Sequence, residues 1–194
     1  MKHIGYMRKE LIRIYGKNDA KRIMESAKKH YAACMELCKD ASKGERMHLE
    51  NTILPVTSFY KALLEVDPTN ALSNTKTILM NLCEKGGKVL NGVLNLPGMK
   101  SGFMKLMPKF AVKAFGTECG FDYVNFHADN SRLQMDMTVC PYLKYANILK
   151  VSELMPVFCE SDFATYGNLS GITFERTETL GTGGTKCDFK FFRQ

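Results

Sequence analysis

The residues best equipped for chemistry lie between positions 140 and 188. Cys140 ends a predicted strand just before Pro141, the residue expected at the first position of a helix, so its thiol should cap that helix. There it would meet the positive end of the helix dipole, which predicts a lowered pKa, as a nucleophile or metal ligand requires. Cys159, Glu160 and Asp162 fall within one turn of a helix predicted over 152–166, and Cys159 and Asp162, three apart, share a face. Cys187 and Asp188 are neighbours in the final strand and point to opposite faces, so only a bulge would bring both into one pocket. His127 closes another strand. Read as a set, Cys140, Cys159 and Asp162 are candidate catalytic groups, a thiolate and a general base, while Cys187, Asp188 and His127 are candidate ligand-binding groups. A divalent metal could be held by Cys140, Cys159, Asp162 or Cys187, although the spacing lacks the close cysteine pairs of a structural zinc site.

Each residue also has a plainer reading. Free cysteine is among the most buried residue types, Glu160 beside Ser161 suits solvent, Asp188 can pair with a lysine on a sheet face, and His127 can be a hydrogen-bonded structural residue. The clustering of thiols with carboxylates on the acidic third of a basic chain is what favours a site. Other chemistries have no signature here. Gly181-Thr-Gly-Gly184 connects two strands and has no following helix or Lys-Ser/Thr for a phosphate loop, and neither a serine nucleophile elbow nor a zinc-protease helix occurs.

The elements that must position these groups follow from hydrophobic period. Residues 1–116 read as about five helices. They are a short basic helix over 3–15 ended by Gly16, a second over about 19–40, a third over 48–66 bent or started by Pro55, a fourth over 69–85 stopped at Gly86-Gly87, and a segment over 99–115. In the second, Cys34 and Cys38 share an apolar stripe and read as core thiols. In the last, Lys100, Lys105, Lys109 and Lys113 oppose a Met- and Phe-rich face, with Pro108 interrupting. An ordinary core-facing helix is favoured there over a membrane-surface helix or a mobile lid. From 117 onward the pattern changes to strands over 121–128 and 132–140, helices over 141–150 and 152–166, and strands over 171–180 and 186–193. The expected fold is a single α+β domain, a helical layer packed with a mainly antiparallel sheet that carries two inserted helices.

Composition bounds the setting. The chain has 194 residues, 45% of them hydrophobic, with 12 Phe and 8 Tyr, enough for a sizeable core and too apolar for disorder. Seven cysteines cannot all pair, and the N-terminus has neither the apolar stretch nor the cleavage site of an export signal, so a reducing cytoplasmic setting with free thiols is expected. No apolar run is long enough to span a bilayer, which argues against stable membrane insertion. The net charge of +7 is uneven, with 12 basic and 7 acidic side chains over 1–50, 8 and 3 over 51–116, and 7 and 10 over 117–194. The lysines are spread singly without aromatic interleaving, so a solvated helical face explains them and nucleic-acid binding is not expected. A small molecule is the expected partner, and a homodimer is compatible with this reading.

Several strings in the second half resemble one family. Cys140-Pro-Tyr, Glu153-Leu-Met-Pro-Val-Phe-Cys159-Glu-Ser-Asp162, Phe174-Glu-Arg-Thr-Glu-Thr-Leu-Gly and Gly184-Thr-Lys-Cys187-Asp-Phe-Lys-Phe are similar to the L-2-amino-thiazoline-4-carboxylic acid hydrolases. The helical half, with Tyr60-Lys-Ala-Leu, is similar in layout. The resemblance implies a hydrolase that opens a cyclic amidine ring with water to give N-carbamoyl-cysteine or a related product. It places Cys140, Cys159, Asp162, Cys187 and Asp188 at the matching polar positions. Asp162 is then the expected base, Cys140 or Cys159 the thiolate, and Lys105 or Lys109 an attractor for a substrate carboxylate. The Gly-then-Cys ending also resembles small-molecule-binding sensor domains related to vinyl reductases, which implies the alternative of a non-catalytic module enclosing an apolar ligand.

Overall fold

The computed structural model describes residues 4–194, with helices in the first half and, in the second, a sheet whose strands are interrupted by two more helices. The expected helix start at residue 3 lies outside the described residues. Helix α1 (Ile4–Leu37) joins both expected N-terminal helices in one run, kinked where Gly16 adopts φ 78° and ψ 173°. Ile23, Ala27 and Cys34 on its inner face, and Cys38 just beyond it, are buried in an apolar core. Helix α2 (Lys43–His48) starts earlier than residue 48 because Ser42 and Glu45 form a capping box, each side chain accepting the other's backbone N–H. A π-helical turn, Leu49–Ile53, then leads into α3 (Leu54–Val66), whose first turn holds Pro55. Proline has no amide to close the preceding ladder, so the backbone widens just ahead of it.

Helix α4 (Ala71–Leu94) runs straight through Gly86-Gly87, which correct the expected stop. Gly87 serves close packing: a Cβ there would lie 2.6 Å from the Thr165 carbonyl oxygen, on a helix that lies along α4. Helix α5 (Met99–Ala114) buries Met104, Met107, Ala111 and Ala114 and leaves Lys105, Lys109 and Lys113 in solvent, the arrangement of a core-facing helix.

Strands β1 (Asp122–Ala128) and β2 (Arg132–Val139) form a hairpin closed by Asp129, whose carboxylate accepts the N–H groups of Ser131 and Arg132. Helices α6 (Pro141–Ile148) and α7 (Met155–Tyr166) follow, then β3 (Ile172–Glu175) and β4 (Cys187–Arg193). The sheet is antiparallel throughout, in the order β1-β2-β4-β3. The strand expected over 171–180 therefore ends early. Beyond Glu175 the N–H groups of Thr177 and Glu178 bond the Asp188 carboxylate in place of a ladder partner, and Arg176 turns inward.

This is the expected α+β architecture, and it has two apolar cores. One packs α1, α3, α6 and α7 through residues such as Phe59, Leu63, Tyr145 and Leu154. The other packs the inner sheet residues Leu133, Met135, Phe174 and Phe191 against α5. Tyr142, at the start of α6, packs against both. No helix among the described residues is long and apolar enough to cross a membrane.

Candidate functional site

Where the two cores meet there is a cavity of about 420 Å³. Its wall carries Cys140, Cys159, Cys187 and Asp162, brought from the start of α6, the middle of α7 and the first residue of β4. Each placement has a local cause. Pro141 opens α6 directly after β2, so the chain turns at Cys140 and the thiol joins Met137 on the cavity side. The three-residue step from Cys159 to Asp162 keeps both on one face of α7, while Glu160 points away to an ion pair with Lys76 on α4. Strand alternation sends Cys187 and Phe189 into the cavity and Asp188 to the opposite side of the sheet.

Asp188 is a structural group there. It accepts hydrogen bonds from the N–H of Thr177 (2.8 Å), the N–H of Glu178 (3.0 Å) and the Thr177 hydroxyl (2.8 Å), with Lys190 nearby. Burial works to raise its pKa, but these donors outweigh it and hold the carboxyl well below the usual range. His127 lies outside the cavity as well, exposed on β1 and bonded to Asp129 at 2.9 Å. Lys105 and Lys109 stand in solvent on α5 and do not line the cavity.

A buried cation completes the site. Arg176 sends one terminal nitrogen to the Asp162 carboxylate and the other to the Cys159 carbonyl at 2.7 Å, its guanidinium lying 5.1 Å from the Phe163 ring centre and 5.4 Å from that of Phe189. Only 4% of the Arg176 side chain is accessible, and its Nε has no partner. A charge so buried must be paired, and it fixes both Asp162 and the α7 backbone in place. For Asp162 burial is the largest influence and the Arg176 charge opposes it; the carboxyl is pushed up to about 6. It thus exchanges a proton close to neutral pH. No local motif marked Arg176 in the sequence; it stands in the string Phe174-Glu-Arg-Thr, on a segment that reads as strand.

The thiols behave differently from the expectation for Cys140. It does sit at the N-cap of α6, yet burial pushes its thiol up to about 12; the amides of Leu143 and Tyr142 pull the other way without outweighing it, and none closes a cap hydrogen bond to sulfur. Burial likewise raises Cys187, to about 11, against the Leu180 N–H that bonds its sulfur at 3.3 Å. Cys159 is raised by burial, opposed by Thr179, Arg176 and the Gly181 amide. Gly181 approaches so closely that a Cβ would fall 2.6 Å from the Cys159 sulfur. All three are therefore neutral thiols at pH 7. Among the described residues no three His, Cys, Asp or Glu side chains are grouped to hold a metal ion. The carboxylate that would join the thiols is occupied by Arg176.

The wall also holds a second polar chain. The His48 Nε2 lies 2.6 Å from the Ala114 carbonyl, which can only accept, so Nε2 carries the proton and Nδ1 accepts from the Tyr142 hydroxyl at 3.3 Å. Burial lowers the His48 pKa despite that carbonyl, in keeping with a neutral imidazole. Most of the remaining wall is Met and Phe, among them Met155, Phe115, Phe121 and Phe158, with Asn51, Thr52 and Ser161 as further polar residues. The family model for L-2-amino-thiazoline-4-carboxylic acid hydrolase matches residues 46–191, which spans this whole site. The chain belongs to that family. No curated protein matches it. The matched span starts at Arg46 in α2 and so takes in the π-helical turn, the cavity and all of the sheet but the last two residues of β4, and leaves out α1. Membership identifies a hydrolase family, whose name implies a small-molecule substrate.

Proposed function

We infer that this protein opens a small cyclic amidine such as 2-amino-thiazoline-4-carboxylate with water, and that Asp162 is the base. The observation that carries this reading is one carboxyl, poised near neutrality and clamped by Arg176, on the wall of a cavity lined by three thiols. Asp162 takes a proton from water as the oxygen adds to the amidine carbon. As the carbonyl forms, the second proton of the water passes to the ring nitrogen and the carbon–sulfur bond breaks; both nitrogens stay on that carbon, and the proton held by Asp162 goes to the departing sulfur. The product is N-carbamoyl-cysteine, and the atoms of ring and water are all accounted for. Water is favoured over a cysteine nucleophile because the three thiols are held protonated. Their place is around the ring sulfur, Cys159 nearest in sequence to the base.

The test is release of a new thiol from 2-amino-thiazoline-4-carboxylate. Asp162→Asn should lower turnover about 10²- to 10⁴-fold with folding retained. Cys140→Ser should keep measurable turnover if water is the nucleophile. Full activity in Asp162→Asn would remove the mechanism. The largely aromatic and methionine wall favours a second reading, a sensor for an apolar ligand. Stabilisation of the protein by lipids or tetrapyrroles, and by no thiazoline, would select it.

A further inference from the structure

A second cleft, of about 450 Å³, lies behind the first cavity, between α4 and the π-helical turn. Asn51, Thr52, Tyr142 and Ser161 line both, so one thin wall separates them. Half of that wall is the π-helical turn itself, where the widened backbone aims Asn51 and Thr52 between the two spaces; such turns are frequent at functional sites. Ser161 directly precedes Asp162, so the shared wall begins beside the carboxyl. The far cleft is lined by Pro55, Val56, Leu79, Leu82 and Val89, and its one charged side chain among the described residues is Lys85, exposed at its edge. Nothing lies within 4 Å of where a Cβ of Gly86 would stand, so this wall of the cleft is open. The two spaces together match the volume that buries a drug-sized ligand, well beyond a single five-membered ring acid.

We propose that the natural substrate is a cyclic amidine bearing an apolar arm, the ring held at Asp162 and the arm passing Ser161 and Thr52 into the α4 cleft. This rests on the reading of Asp162 as the group that meets the amidine. The arm is carried on the exocyclic nitrogen, next to the carbon that meets water and so next to the wall that Ser161 shares between the two spaces. It would lie against Leu79, Leu82 and Val89, where burial of methylenes supplies affinity that a bare ring lacks.

The experiment measures binding to the full chain by calorimetry, with two probes: 2-amino-thiazoline-4-carboxylate, and the same ring carrying an octyl chain on its exocyclic nitrogen. The octyl probe should bind at least about tenfold tighter. Gly86→Leu, which fills the cleft without facing the first cavity, should abolish that advantage and leave the bare ring's affinity unchanged. Val89→Trp, on the same face of α4 and largely exposed, should do the same and guards against a folding defect in the first variant. Equal affinities, or an octyl advantage that survives both variants, would overturn the inference while leaving the ring chemistry standing. Failure of both probes to bind would overturn it together with the functional reading on which it rests.

Discussion

Asp162 and Arg176 show how much one pair can decide. The carboxyl rises from 3.8 to about 6, so it favours the folded state at acid pH and that contribution is lost as pH climbs through about 6. The ionised carboxylate that the proposed mechanism calls for is therefore held at some expense of stability, which Arg176 limits. Because the Arg176 charge lowers this pKa, Arg176→Met should move the acidic limb of the pH–rate profile upward. Arg176→Lys, which keeps a cation, should move it less. A limb that stays in place in Arg176→Met would show that the guanidinium does not position the base. Helix and strand periods made the face of each of Cys140, Cys159, Cys187 and Asp162 legible, but that these faces turn toward one cavity follows only from how the elements pack. Arg176 was not legible, since nothing local distinguishes a buried arginine from an exposed one at a strand end. His127 and Asp188 stand away from the cavity for a similar reason. Their side-chain types suit a site, but the hairpin turn and the β3–β4 connection engage them instead.

Among the elements, periodicity conveyed identity well and endings poorly. The long helices and the four strands were readable as such, because the steps of 3.6 and 2 are properties of the chain itself, whereas the six-residue α2 was not. Gly86-Gly87 illustrates the failure. A glycine pair is the same local signal whether it ends a helix or admits a neighbour, and only the approach of α7 decides between them. The two glycines should therefore respond in opposite ways. Gly86→Ala should stabilise by about 0.5–1 kcal/mol, as a better helix former in open space. Gly87→Ala should destabilise, since its methyl would stand 2.6 Å from the Thr165 oxygen and push α7 away. Urea midpoints of the two variants check this, and equal shifts would refute the close-packing role. The π-helical turn was equally illegible, being a response to Pro55 and to the cavity it borders.

For the molecule as a whole, burial sets the state of all seven cysteines. Each of Cys34, Cys38, Cys83, Cys119, Cys140, Cys159 and Cys187 has its pKa raised, with desolvation the leading cause. Thiolate is the reactive form, so the native protein should react with a disulfide reagent at least about tenfold more slowly than the chain unfolded in guanidinium. Fast labelling of the native state would contradict this protonation. The helical half carries the positive excess of the chain, and the sheet half, with Asp162, the negative. Between them stands Phe110, on the cavity wall and yet 52% exposed, on a helix whose inner side is anchored by Met104 and Ala111. Phe110 is thus a part of the cavity wall that solvent reaches, and a swing of that one ring, a rotamer event of picoseconds to nanoseconds, reshapes the wall without any lifting of α5.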